Sequence, residues 1–411
     1  MTGWRMILLG SELLEKATFK RLFLQMLSAQ SFNLAGIMAG TMIATLSPYT
    51  ATNPWILLLL PPLLTVRGNI GGILSGRLST SLYVGLVKPT FRNNTRYFYA
   101  TIASTLVMNF IFSVVIGVFS SLINVAQGSG LSLTDSLSLS ILTMMTCATI
   151  TTLLFTPSLA FSSYRRGLNP DTILYPFTST INDILISAIY TLLVLAKLFW
   201  SGLFTALTLI LAPIFAGATM FLTLRYRREE AFRETFREGF PTAILLTFLS
   251  QITGSFLSQL EDQISAYPQL LAVYPLLIDG TGDIGVVISS ATAARLALGY
   301  IEPRMSSIKG KEGRKVVLSS LIAGFTLTLS ATLAVSSVYT PTLLQVARTF
   351  LTVACAEFLT AAPIVVASFA LTIIMFRRGI NPDNVTIPMI TSFVDLFLTM
   401  SLFIASQVLI F

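Results

Sequence analysis

Apolar residues fill this 411-residue chain in long continuous blocks, broken by short polar stretches. Eleven blocks can be traced, at about 22–46, 54–86, 97–124, 136–164, 172–197, 203–224, 240–260, 268–299, 315–338, 342–376 and 384–411. Each reaches the ~20 residues that an α-helix needs to cross the hydrocarbon of a bilayer. Transmembrane β-strands would alternate apolar and polar positions, and these blocks do not. The pattern predicts an all-α integral membrane protein with eleven transmembrane helices. Three blocks exceed a straight crossing, so tilts, kinks at Pro or Gly, or extensions past the lipid are expected.

The polar punctuation repeats. "RRGLNPDTILYPFTSTINDI" at 165–184 returns as "RRGINPDNVTIPMITSFVDL" at 377–396, an offset of 212 without a gap. "PPLLTVRGNIGG" at 61–72 lies opposite "PLLIDGTGDIGV" at 275–286, and the same offset of 214 aligns Gly85 with Gly299 and Pro89 with Pro303. Spans two and five thus match spans eight and eleven, and each half is a five-helix unit. An odd number of spans would invert the second half. The extra sixth span restores the starting side, so the two repeats are parallel and a pseudo-two-fold axis along the membrane normal should relate them. The expected divisions are a first repeat at 1–200, a linker helix with a basic segment at 201–235, and a second repeat at 236–411.

Charge adds an orientation. Only 11% of residues are charged and the mean hydropathy is +0.79, where soluble domains carry about 25% charged residues. With the N-terminus in the cytoplasm, 21 of the 26 basic residues fall in the inner segments. Among them are Arg165, Arg166, Arg377 and Arg378. Lys197 marks an outer end, and Glu261 and Asp262 an outer loop. This is the positive-inside bias, and it predicts a multi-pass cell-membrane protein with its N-terminus inside and its C-terminus outside. The net charge of +8 is then a consequence of topology, and no nucleic-acid partner is expected. The mixed-sign run at 225–238 is expected to be a solvated or interfacial helix joining two spans.

The chain has no His, and its two cysteines, Cys147 and Cys355, lie inside apolar blocks as packing residues. That leaves no imidazole relay, disulfide framework or CxxC metal site. No cleavable signal peptide and no separate soluble domain are evident.

Carboxylates inside spans are the candidate chemistry. Asp183 and Asp395 each lie twelve residues after the Asp that starts their helix, Asp171 and Asp383. That is roughly 18 Å into the bilayer, near its midplane. A carboxylate there costs roughly 2.5–3.5 kcal/mol or more and needs a partner, water or a proton. Two such groups brought together by a two-fold axis would repel unless a cation lay between them. Ser179 and Thr180 precede Asp183 by four and three residues, and Thr391 and Ser392 precede Asp395 likewise, which sets hydroxyls on the Asp face. Pro176 and Pro388 free a backbone carbonyl one turn earlier. Such hard oxygen donors suit Mg²⁺ or Ca²⁺. A second cluster pairs Gly68-Asn69 with Gly282-Asp283, and glycine breaks at matched positions of two repeats point to a substrate path. Here the repeats differ: Arg67 opposes Thr281, and Asp279 opposes Thr65. Arg67 is expected to pair with Asp279 or another buried carboxylate. Arg77 and Arg295 are expected to snorkel, and Arg348 and Glu357 to make inter-helix pairs.

These motifs, "P…GN" in the second span and "NPD…P…(S/T)(S/T)…D" in the fifth, resemble the MgtE and solute carrier family 41 magnesium transporters. The resemblance covers both halves. The solute carrier branch has two MgtE-like halves in one chain, as here, whereas bacterial MgtE is a homodimer of five-span units. The resemblance implies transport of divalent cations, most readily Mg²⁺ as substrate, through a central pathway between the repeats. It gives the hydrated-ion role to Asp183 and Asp395 and places Asn69 on a family position, from which Asp283 departs. With Asp183, Asp395 and Asp283 as metal-binding groups, Asn69, Asp279, Ser179, Thr180, Thr391 and Ser392 complete the expected ion-binding set. The cytosolic CBS domains of bacterial MgtE are absent, and the fused halves let a monomer close a pathway. No ATP motif is present. A Na⁺- or H⁺-coupled Mg²⁺ exchanger is the nearest alternative. A membrane-embedded metal-dependent enzyme built on "DGTGD" (279–283) is a remoter one, since its Asp spacing does not fit lipid phosphotransferases.

Overall fold

The structure, a computed structural model, describes residue 27 and residues 31–410 apart from 129, 167–169, 298, 340–341 and 379–381. A few helix-end side chains, those of Pro176 and Pro388 among them, also lie outside the described set. All of the regular structure is helical. In chain order the helices are α1 (Gly36–Ala44), α2 (Trp55–Tyr83), α3 (Arg96–Gln127), α4 (Leu133–Arg165), α5 (Pro170–Phe199), α6 (Ser201–Tyr226), α7 (Glu230–Ser258), α8 (Pro268–Ala297), α9 (Lys311–Tyr339), α10 (Leu343–Arg377) and α11 (Pro382–Leu409). Ten described helices are long and apolar enough to cross a membrane. The first expected span, 22–46, is described only in its second part, as a 3₁₀ turn (Ser31–Ala35) leading into α1.

Local chemistry explains where these helices begin and end. Thr95 and Ser132 cap α3 and α4 by accepting from Phe98 N–H and Asp135 N–H. Gly128 ends α3 with φ 73°. α5 and α11 both start on a proline, which costs nothing at a first helical position. Within α4 the turn Thr151–Phe155 widens to π geometry just before Pro157, which has no N–H to offer the preceding turn. α7 begins earlier than the pattern of apolar residues suggested. The charged run at 230–239 is the first part of this one helix, not a separate connector. Arg77 of α2 explains the difference, because it pairs with Glu234 (3.5 Å) and Glu238 (2.7 Å) and fixes those turns. Arg77 is therefore an ion-pair residue, not a snorkelling one.

Packing divides the chain into two compact units, Ala35–Pro275 and Leu276–Phe411 with the residues up to Leu34. In the first unit α2 is central and packs on α3, α5 and α7. Tyr190 of α5 donates to the Ile56 carbonyl at 2.8 Å. Gln251 of α7 joins α3 through Ser120 (3.0 Å) and the Ile116 carbonyl (3.3 Å). Lys197 meets Asp135 at 2.5 Å and lies over the Trp55 and Phe204 rings. α6 packs on α3, α4 and α5 while leaving Leu209, Ile210, Met220 and Phe221 exposed, as suits a lipid-facing helix. In the second unit α10 packs on α9 and α11, and Ile284, Ile288, Ile364, Phe369, Ile390 and Val394 form its core.

The sequence repeat is also a repeat of contacts. Gly85 and Gly299, one after α2 and one after α8, both take positive φ, 77° and 74°. Arg165 at the end of α4 donates to the Pro89 carbonyl, and Arg377 at the end of α10 donates to the Pro303 carbonyl. A further pair of contacts lies within the first unit. A Cβ on Gly40 of α1 would stand 1.9 Å from the Ala272 carbonyl oxygen of α8, and one on Gly254 of α7 would stand 2.2 Å from that of Leu58 in α2. Both the two glycines and the two carbonyl residues are 214 apart. The first helix of each repeat thus crosses the second helix of the other, through glycine-permitted backbone contact. Such reciprocity is what two pseudo-symmetric halves require.

Candidate functional site

Within the first unit, the glycine-rich turns of α2 lie against α5. Gly71 leaves the space this needs, since a Cβ there would be 2.6 Å from Asn182 Nδ2 and 3.3 Å from Arg67 Nη1. Arg67 is 1% exposed. Its Nη2 donates to Thr151 Oγ1 on the widened turn of α4, and the Cys147 thiol is within hydrogen-bonding reach. Thr151 is thus its identified hydroxyl partner. Asp183, 8% exposed, lies one residue beyond Asn182 and near enough to act electrostatically on Cys147. The site therefore gathers Arg67, Cys147, Thr151, Asn182 and Asp183. Asn69 is half-buried, as are Ser179 and Thr180 on the Asp183 helix. Asn69 Oδ1 and Asn182 Oδ1 are buried acceptors with no hydrogen-bond donor among the described residues. Orphaned amide oxygens are costly unless something donates to them.

The second unit holds the matching arrangement on α8 and α11. The Gly285 backbone approaches Ile390, where a Cβ would lie 2.4 Å from its methyl group, and Gly282 faces the Thr391 methyl at 3.7 Å. Asp279 and Asp283 are half-buried on this stretch of α8. Asp395 is 5% exposed on α11, and Ser392 Oγ, one turn earlier, is a buried oxygen without a hydrogen-bond partner among the described residues. Of the predicted residues, Asn69 lies on α2 and Ser179, Thr180 and Asp183 on α5, two helices that pack together in the first unit. In the second unit Asp279 and Asp283 lie on α8 and Thr391, Ser392 and Asp395 on α11.

Two participants were not anticipated. Asn33, in the 3₁₀ turn before α1, donates from Nδ2 to Asp283 Oδ2 at 2.7 Å. A lone Asn in an apolar stretch was the available signal. Asn182, next to Asp183 on α5, reaches α2 through the gap at Gly71. Among the described residues, no group of three or more His, Cys, Asp or Glu side chains is placed to hold a bare metal ion.

Fold and site together define a multi-pass α-helical membrane protein of doubled construction, with carboxylates, amides and hydroxyls set inside its spans. The MgtE family, described as a divalent cation transporter, matches the chain twice, over residues 60–193 and 274–405. These two matches cover most of the chain, and it belongs to that family. It is accordingly a transporter of divalent cations, not an enzyme. No curated protein and no solved structure matches it.

Proposed function

We propose that the protein carries Mg²⁺, and that Asp183 and Asp395 hold the ion with its water shell on, one carboxylate from each repeat. The observation that supports this reading is the kind of oxygen assembled around each Asp. Mg²⁺ gives up its waters reluctantly, so a protein recognises it through acceptors for those waters. Asn69 and Asn182 present buried carbonyl oxygens without donors near Asp183, and Ser392 presents a hydroxyl near Asp395. A hydrated cation supplies the missing donors. Asp283 and Asp279 add acidity on α8, and Asn33 orients Asp283.

Inward movement needs no nucleotide. A divalent ion gains about 4.6 kcal/mol per 100 mV of inside-negative potential, at ~2.3 kcal/mol per charge. The basic inner segments orient the N-terminus to the cytoplasm and the C-terminus outside. One chain supplies both repeats, so a monomer is the proposed working unit. The test is Mg²⁺ influx into liposomes loaded with a Mg²⁺-sensitive dye, for wild type, Asp183→Asn and Asp395→Asn. Influx in wild type that falls to the level of protein-free liposomes in both variants supports the reading. Equal influx in all three removes the two carboxylates from the pathway.

A further inference from the structure

Among the described residues, Glu357 is the one buried carboxylate of the second repeat outside the proposed ion path. It lies fourteen residues into α10, after Leu343, and is 0% exposed. Its Oε1 is hydrogen-bonded to the Thr328 hydroxyl of α9, and its Oε2 has no partner among the described residues. The expected pairing with a base is not what the structure contains.

Among the described residues, the Thr328 hydroxyl is the hydrogen-bond partner of the carboxyl. It lies 3.0 Å from the Gly324 carbonyl and 3.4 Å from that of Phe325, besides its contact with Glu357. A hydroxyl has one hydrogen and two lone pairs. The hydroxyl donates to Glu357 Oε1, with the Gly324 carbonyl as a competing acceptor for the same hydrogen. One shared hydroxyl hydrogen does not balance an ionised carboxylate, which would be a buried charge without a counter-charge, so the surroundings favour a carboxyl that carries its proton.

Among the described residues, no charged side chain of a neighbouring element is a hydrogen-bond partner of Glu357. Lys311, Glu312, Arg314 and Lys315 of α9 are at least thirteen residues before Thr328, ~20 Å along the axis. Arg348, on α10 itself, is nine residues away, ~13 Å. Arg377 is farther still, and Lys309 belongs to the turn before α9. α11 contributes Asp383 and Asp395, and α8 contributes Asp279, Asp283 and Arg295. α8 comes close to the pair, since a Cβ on Gly280 would be 2.7 Å from the Thr328 methyl.

We propose that Glu357 is a proton-carrying site, loaded and unloaded as a cation passes along α8, so that divalent-cation movement one way is coupled to proton movement the other. This inference rests on the transport reading above. Only one O–H bond is made and broken: the proton is taken from one aqueous face and released to the other. A cation near Asp279 and Asp283 disfavours the proton on Glu357, and departure of the cation restores it. The α4 helix of the first repeat has no acid after Asp135 in its first turn, so the coupling site is single.

The experiment uses proteoliposomes with the potential clamped by K⁺ and valinomycin, and with Mg²⁺- and pH-sensitive dyes inside. Wild-type Mg²⁺ influx is expected to make the lumen alkaline, and Glu357→Gln, which keeps the shape of a neutral carboxyl, is expected to abolish that change. Mg²⁺ influx in wild type without a pH change overturns the inference and leaves the transport reading standing. So does a pH change that persists in Glu357→Gln, or a movement of Na⁺ in its place. No Mg²⁺ influx under any gradient overturns both. Infrared spectroscopy of the folded wild type gives an independent check. A protonated-carboxyl band should be present at neutral pH and missing from Glu357→Gln, and its absence from wild type refutes the assignment.

Discussion

Replacing Asp183 or Asp395 by Asn should affect stability and transport in opposite directions. Each carboxylate is almost enclosed, at 8% and 5% exposure, within a membrane-spanning helix. An acid at that depth costs roughly 2.5–3.5 kcal/mol by insertion scales. Asp183 and Asp395 each have neighbours that recover part of this, so about 1–2 kcal/mol per site remains as a burden on the ion-free protein, less than the several kcal/mol of an unrelieved buried charge. Asn has nearly the shape of Asp and keeps a carbonyl acceptor. It should therefore stabilise the ion-free protein by about that amount while removing the charge that holds the cation.

Mg²⁺ provides the contrast. A ligand that binds only the folded state at a hundred times its Kd stabilises it by about 2.7 kcal/mol. Thermal unfolding in detergent, with and without Mg²⁺, reads both quantities in one series. Wild type should gain stability with Mg²⁺. Asp183→Asn and Asp395→Asn should start higher, gain little from Mg²⁺ and carry no flux. The reasoning fails if either variant melts lower than wild type without Mg²⁺ yet keeps the full Mg²⁺-dependent gain, because the carboxylate would then be a structural tie.

Gly40→Ala and Gly254→Ala should each destabilise by about 1–3 kcal/mol, the cost of overpacking, because the new methyl meets a backbone carbonyl at 1.9 or 2.2 Å; equal melting of variant and wild type would refute the exchanged-helix contact. Arg77→Ala should cost about 1 kcal/mol or less, since its stronger partner, Glu238, has a side chain 62% exposed, and trypsin cleavage near Arg233 and Arg237 should quicken; unchanged proteolysis would refute the clamp. Glu261, in the connection between α7 and α8, has its carboxyl pushed up by burial and by neighbouring Asp262, partly offset by a backbone hydrogen bond. A folded-state pKa above the unfolded one gives stability that is full below the ordinary carboxylate range and is lost as pH rises through the raised value. Melting of Glu261→Gln across that window should lack the decline of wild type, and parallel curves would refute the assignment.

The helices were legible because a lipid-spanning helix must be apolar over a set length, and length is a one-dimensional property. The doubling was legible for the same reason: Pro89, Gly85 and Arg165 recur at fixed offsets as Pro303, Gly299 and Arg377, and both sets build the same ties. Contacts between helices distant in sequence were not legible. Nothing in the spacing of Gly40 or Gly254 says which carbonyl each will meet. Asn33 reaches Asp283 across 250 residues, and its partner depends on how the first helix packs. The start of α7 was misjudged because charge was taken as a sign of solvation, whereas Glu234 and Glu238 are held by an Arg on another helix. The oxygens expected around Asp183 and Asp395 follow from the 3.6-residue period alone, but the use of Asn182 depends on a gap left by Gly71 on a different helix.

Fusion of the repeats has a consequence for mechanism. A homodimer must place the same side chain at both equivalent positions, so every charge on a pathway is doubled. A single chain can keep one position and change its counterpart. Asp183 and Asp395 are kept, as the ion site proposed above requires. Arg67 has Thr281 as its counterpart, Thr65 has Asp279, and Asn69 has Asp283. The first repeat therefore carries a buried cation beside its Asp, and the second carries two further acids on the equivalent helix. Glu357 adds a fourth carboxyl to the second repeat with no equivalent acid inside α4. With an asymmetric set the acids of the two repeats need not play the same part, and a fused chain writes that difference into its sequence, where two identical subunits reach it only by taking different states.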